Sequence, residues 1–249
     1  ASVRGLKRYI WTIPVMTPKL SSYWLYFITS ISYKLAVSLV DSMKVEVVAS
    51  DNRINQILDI KPLSYQECIR SAFRAIEQNE IISSWKDSTI SGRLNFRISD
   101  YIKVPVYGCY KDIKEIKVED QTACIKKIWQ IGGDTGWYYA NWLWKLRGFL
   151  DKLVGGVGLR RGRTHANDIK AGDALDFWRV LYASKCEKRL LLFAEMKLPG
   201  EAWLEFQIRD HTLIQTATFR PRGLLGRIYW YLVFPFHGIV FRGLIMKLR

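Results

Sequence analysis

The residues best equipped for chemistry in this chain lie between Trp129 and Tyr231. One group is a glycine-rich basic loop, Gly155-Gly-Val-Gly-Leu-Arg-Arg-Gly-Arg163, followed by His165. Its backbone N–H groups, with Arg160, Arg161 and Arg163, have the character of an anion cradle. The loop lacks the Lys-Ser/Thr ending of a P-loop, so a solvated basic connector is the favoured reading. A second group is the carboxylates Glu195 and Glu205. Strand alternation puts Trp203, Glu205 and Gln207 on one face and Ala202, Leu204, Phe206 and Ile208 on the other. If the first face lined a hollow, Glu195 and Glu205 would be paired acids with raised pKa. If it faced water they would be ordinary cross-strand charges near Lys197 and Arg209, which is favoured because charged residues are seldom fully buried. The third group is tryptophan: Trp129, Trp137, Trp142, Trp144, Trp178, Trp203 and Trp230. Their indole N–H groups need partners in a solid core, whereas a cavity wall suits them; plain core packing is the competing reading. The expected ligand cavity therefore comprises Trp142, Trp178, Glu195, Trp203, Glu205 and Trp230. His211 and His237 stand isolated and read as structural.

The elements that must position these side chains follow from periodicity. Residues 190–198, the alternating stretch around Leu204, and 212–219 read as strands, with Pro199-Gly200 as the first turn. Residues 113–118 alternate like a strand, 120–131 read as a helix, and 137–154 as a second helix. Residues 224–248 read as a long helix with a kink or break at Pro235 and Gly238. Unbroken apolar character there lasts only from Ile228 to Phe236, so a buried or interfacial helix is expected rather than a membrane span. Earlier in the chain, a strand is expected at 7–16 and another at 44–48, with helices between and after. Ser64 and Glu67 carry the Ser-x-x-Glu signature of a helix start. A polar stretch at 83–92 sets the expected boundary, giving domains 1–88 and 89–249.

With 38 Lys and Arg against 23 Asp and Glu, the formal charge is +15. Such a balance favours anionic partners. Cys68, Cys109, Cys124 and Cys186 show no CxxC spacing and no neighbouring histidine, which argues against a zinc or redox motif and for free thiols in a reducing compartment.

Several strings resemble known families. Residues 1 to about 88, through Val15-Met-Thr-Pro-Lys-Leu-Ser-Ser-Tyr-Trp-Leu25 and Pro62-Leu-Ser-Tyr-Gln-Glu67, resemble the C-terminal end of an atypical, NmrA-like short-chain dehydrogenase. Residues from about 94 onward resemble an uncharacterised bacterial domain fused behind such enzymes. The strings are Ile131-Gly-Gly-Asp-Thr-Gly-Trp-Tyr-Tyr-Ala140, Leu150-Asp-Lys-Leu-Val-Gly-Gly156, Gly172-Asp-Ala-Leu-Asp-Phe-Trp178 and Pro221-Arg-Gly223. That domain is similar to the START-like helix-grip superfamily, whose members commonly hold an apolar ligand between sheet and long helix.

The resemblance implies an α+β fold: a helix-grip antiparallel sheet with a long C-terminal helix, preceded by a mainly helical remnant of a Rossmann-type dehydrogenase domain. No Gly-x-x-Gly-x-x-Gly motif opens the chain, so the dinucleotide-binding half is expected to be missing. NAD(P) is expected only in that half, and no cofactor site, metal site or catalytic residue is assigned here. Two Tyr-x-x-x-Lys matches, Tyr107/Lys111 and Tyr110/Lys114, fall in an extended stretch outside the dehydrogenase-like part and are rejected as catalytic. The expected function is binding of an apolar or amphipathic small molecule within a larger NAD(P)-dependent oxidoreductase-like protein. The alternatives are a non-catalytic sensor or carrier, or a basic module for a membrane surface or nucleic acid. The expected partners are that small molecule and an anionic membrane surface, not nucleic acid. The expected location is cytoplasmic, peripheral to the inner membrane.

Overall fold

The computed structural model of the protein describes residues 7, 17–29, 31, 33–48, 53–59, 61–77, 99–158, 163 and 168–249. Two compact units are present, one of residues 1–26 and 33–84, the other of residues 27–32 and 85–249. The expected boundary at 88/89 lies outside the described residues, as does the expected first strand apart from Lys7.

From Pro18 to Glu77 the described chain is helical in four places: α1 (Pro18–Ile28), α2 (Tyr33–Ser42), α3 (Arg53–Ile57) and α4 (Tyr65–Glu77). Tyr33 at the start of α2 stacks on Tyr23 of α1 at 4.7 Å and meets Tyr26 edge-on at 6.2 Å. The Ser64/Glu67 start of α4 forms as its spacing requires. Glu67 accepts from the Ser64 backbone N–H at 2.8 Å and from its hydroxyl at 2.7 Å, which satisfies a donor the helix cannot use itself. The strand expected at 44–48 does not form. Val45, Val47 and Val48 are exposed and the Val45 N–H donates back to the Ser42 carbonyl at 3.3 Å, so without a neighbouring strand these β-branched residues form no ladder.

The second unit is built on a six-stranded, wholly antiparallel sheet. Its strands are β1 (Tyr110–Lys117), β2 (Ala174–Leu175), β3 (Trp178–Ser184), β4 (Arg189–Ala194), β5 (Gly200–Arg209) and β6 (Thr212–Pro221). They lie in the order β1-β6-β5-β4-β3-β2, so β2 to β6 form a meander and β1 closes against β6. Four helices accompany the sheet: α5 (Ser99–Ile102), α6 (Gln121–Ile128), α7 (Asn141–Leu153) and α8 (Gly223–Leu248). The fold is thus mixed helix and sheet with a long C-terminal helix.

Alternation along β5 sorts the two faces as the sequence requires. Leu204, Phe206 and Ile208 enter the main core with Leu190, Leu192, Leu213 and Ala217, under α6, α7 and α8. Trp203 points the other way and packs with Leu181, Leu191 and Phe193 beneath Tyr101 and Val104. The C-terminal half of α8 fills the main core with Val240, Phe241, Leu244, Ile245 and Leu248. At roughly 1.5–3 kcal/mol for each buried large side chain, that half is the helix's anchor. The N-terminal half differs, for Leu224, Leu225, Ile228, Tyr231 and Leu232 are exposed.

Two expectations need correcting here. Residues 137–140 are not the first turn of α7, because Tyr138 and Ala140 sit at φ 58° and 51°, which ends a right-handed helix. α8 runs unbroken through Pro235 and Gly238 for 26 residues, about 39 Å. Pro235 costs the Tyr231 carbonyl its helical partner, but Tyr231 and Pro235 lie on the exposed side, where water can accept the loss. By length and composition α8 is apolar enough to cross a membrane.

Candidate ligand cavity

Between α7, α8 and the sheet lies a cavity of about 290 Å3. It exists because small residues interrupt a bulky sheet face. Ala202 on β5 and Ala217 on β6 stand beside Leu204 and Phe206, and the space above them is not refilled from α8. α7 supplies Leu143, Trp144, Leu146, Arg147 and Leu150; the loop after β4 supplies Met196 and Leu198; α8 supplies residues from Tyr229 to Phe241. Leu146, Leu150 and Phe236 are at once part of the wall and exposed, so the cavity opens between α7 and α8.

Three polar side chains on this wall have unmet hydrogen-bonding capacity. Trp178 is 4% exposed, yet its indole N–H meets no partner in the chain. Trp144 is in the same state. His237 is held by rings, with Trp230 edge-on at 5.3 Å and Phe241 at 4.8 Å, and its Nδ1 is unpartnered. Burial among these rings pushes the imidazole pKa down to about 4, so it is neutral at ordinary pH. Arg147 sits partly buried on α7 and donates to the Met196 sulfur at 3.0 Å, a weak acceptor for a guanidinium.

Of the six residues expected around a hollow, Trp178, Trp203 and Trp230 line it. Trp230 lies stacked on Tyr110 and Phe219 at 5.3 and 5.8 Å. Trp203 reaches the wall while its N–H donates across the opposite face to the Tyr101 carbonyl at 3.0 Å. The other three stand elsewhere. Trp142 is 67% exposed on the outer face of α7. Glu195 is buried and held by Arg179 through two hydrogen bonds, of 2.9 and 3.2 Å. Glu205 pairs with Arg189 at 2.7 Å, instead of with Lys197 or Arg209. The two glutamates therefore form separate ion pairs, not an acid pair.

The glycine-rich loop already holds an anion supplied by the chain itself. The buried Asp151 carboxylate accepts from the Gly158 N–H at 2.9 Å and the Lys197 N–H at 2.7 Å. Gly156 passes so close that a Cβ there would lie 2.2 Å from Asp151. Arg163 donates to the carbonyls of Trp129 and Ile131 at 2.7 Å each, tying the loop to the end of α6. Arg160 and Arg161 lie outside the described residues.

A second buried carboxylate anchors the turn before α7. Asp176, 2% exposed, accepts from the Trp137 indole N–H at 2.9 Å and the Gly133 N–H at 3.3 Å. Burial still raises its pKa to about 6. Tyr110 and Lys114 stand on β1 some 13 Å apart along the strand, not on one helix turn, and Tyr107 is exposed in a turn. Among the described residues no group of three or more His, Cys, Asp or Glu could hold a metal ion.

Residues 109–244 match a family described as "Protein of unknown function (DUF2867)". The chain belongs to this family. The DUF2867 segment contains the whole sheet and every residue of the cavity wall. The match does not extend to a dehydrogenase or to the START-like superfamily. Comparison with curated proteins found no match, and neither did comparison with solved structures.

Arg147 went unnoticed in the sequence and His237 was read as structural, although a signal existed. Helical spacing puts Arg147 in line with Leu143 and Leu150, and His237 in line with Trp230, Val233 and Phe241. A polar residue inside an apolar stripe marks a buried polar group.

Proposed function

We propose that the second unit binds an apolar or amphipathic small molecule in the cavity between α7, α8 and the sheet. The observation that carries this reading is an open cavity of about 290 Å3 with a mainly apolar wall. A chain selected only for packing would fill the space, since an empty cavity costs stability in proportion to its volume. In this reading the sheet and α8 form a START-like helix grip. The cavity would serve as the ligand site of a larger NAD(P)-dependent oxidoreductase-like protein, a link that rests on the resemblance of residues 1–88. A sensor or carrier without chemistry uses the same cavity.

The test is titration with 1-octanol, followed by tryptophan fluorescence and thermal unfolding. Eight carbons at ~0.8 kcal/mol per buried CH2 give about 6 kcal/mol, a Kd on the order of 0.1 mM or below. A rise in Tm with concentration is expected, and Ala217→Trp, which fills the space, should abolish it without unfolding the protein. Equal responses in both proteins, or none in either, would defeat the reading.

A second reading, docking to an anionic membrane surface, is favoured by a separate observation. Trp142, Leu146, Phe149, Leu150 and Leu153 form an apolar stripe on α7 that is exposed, and Leu225, Ile228, Leu232, Phe236 and Ile239 form another on α8. α8 carries Arg227, Arg242 and Lys247 and no acid. Apolar stripes with flanking cations are the composition of an interfacial helix, and here they border the cavity mouth. Binding to phosphatidylglycerol vesicles, weakened by salt and by Leu232→Asp, is expected. Equal binding to phosphatidylcholine vesicles would remove the electrostatic part of this reading.

A further inference from the structure

The cavity wall contains one cation and no anion. Among the described residues Arg147 is the only charged one on it, and neither Asp nor Glu contributes. The neighbouring carboxylates are engaged elsewhere. Glu195, adjacent to Met196, is held by Arg179, and Asp112, which lies near His237 but off the wall, is paired with Lys114 through Oδ1 while its Oδ2 is buried without a partner. The hydrogen bond to the Met196 sulfur leaves most of the guanidinium's five donors unused by the wall. His237 is neutral and has an unmet ring nitrogen.

We propose that the ligand is a single-chain amphiphile with a carboxylate head, its tail among Val233, Phe236 and Ala217 and its head on Arg147. This deepens the cavity reading above and rests on it. The sign follows from the inventory. A cationic head would face Arg147 with no carboxylate among the described residues of the wall to receive it, and an alcohol would leave the guanidinium as it is. A carboxylate offers the paired oxygens that a guanidinium fork binds.

The experiment compares octanoate, 1-octanol and octylamine by calorimetry at pH 7.5, on the full chain and on Arg147→Leu and Arg147→Lys, with circular dichroism to verify folding. The expected result is octanoate binding at least tenfold tighter than octanol, and octylamine weakest. Arg147→Leu should remove the octanoate preference and leave octanol binding as it was, while Arg147→Lys keeps part of the preference. Octanoate no tighter than octanol, or equal loss of both in Arg147→Leu, would overturn the carboxylate assignment while the cavity reading stands. Failure of all three compounds to bind would remove both. If Arg147→Leu does not fold, the wild-type order of the three compounds together with Arg147→Lys decides the matter.

Discussion

Asp176 and Trp178 are two residues apart, equally buried, and opposite in state. Asp176 has its hydrogen bonds made by the chain: the Trp137 indole and the Gly133 amide close on it, and Arg163 adds a charge nearby. Trp178 has nothing in the chain to meet its N–H, and the wall around it carries a neutral His237 and an Arg147 bound only to sulfur. Both regions place polar atoms where water is scarce, which is costly unless the atoms are answered. The first region answers them internally and so serves the fold, holding the turn that delivers α7. The second leaves them open beside an empty volume, the arrangement expected of a site completed by another molecule.

Breaking the closed region should have the largest effect. Asp176→Leu orphans the Trp137 and Gly133 donors and puts a bulky residue at φ 53°, a left-handed conformation. Urea unfolding should show a loss of about 3 kcal/mol or more. Trp137→Phe removes one charge-assisted hydrogen bond and should cost about 2 kcal/mol. Trp178→Phe breaks no hydrogen bond and should cost about 1 kcal/mol or less in ligand-free protein. If Trp178→Phe proved the more damaging of the two tryptophan changes, the distinction between closed and open regions would be lost.

The smallest expected effect is the net acid dependence of wild-type stability, because the two regions contribute with opposite sign. His237 has its pKa depressed from 6.5 to about 4, so the unfolded chain binds more protons between these values and stability falls as the pH is lowered. Asp112 and Lys114 on β1 and Arg147 on α7 are the charged groups that act on it. Asp176 has its pKa raised from 3.8 to about 6, so the folded chain binds more protons in that window and stability rises as the pH is lowered. Arg163 and Asp134 act on it. Between about pH 4 and 6 these two contributions largely cancel. Asp176→Asn should expose the His237 slope, making stability fall more steeply with acid, and His237→Phe should do the reverse. Identical pH profiles for the two variants would show that neither group titrates as its surroundings demand.

What the sequence made legible was local or periodic. The Ser64–Glu67 box, the alternation along β5 and the long α8 all depend on residues within a few positions of each other. Strand β1 was readable as a strand, but its place beside β6 was not, since that pairing joins Tyr110 to Phe219 across most of the unit. The turn at 137–140 reads as helix by composition, but the distant Asp176 holds the Trp137 indole while the Asn141 side chain accepts its backbone N–H. Pro235 signals a break that the exposure of its side of α8 removes. In the cavity, the tryptophans were visible as an excess. The open polar atoms of Arg147 and His237 were not, because whether a donor has a partner is decided in three dimensions.

The central claim is that the space above Ala217 is a ligand site. It is tested most directly by a crystal structure of the protein soaked with 8-bromo-1-octanol, using anomalous scattering to locate bromine. The account predicts a bromine peak inside the cavity, bounded by Trp178, Trp230 and Phe236, and its absence in Ala217→Trp. Bromine found only on the outer faces of α7 and α8, or a cavity closed by its own side chains, would contradict it.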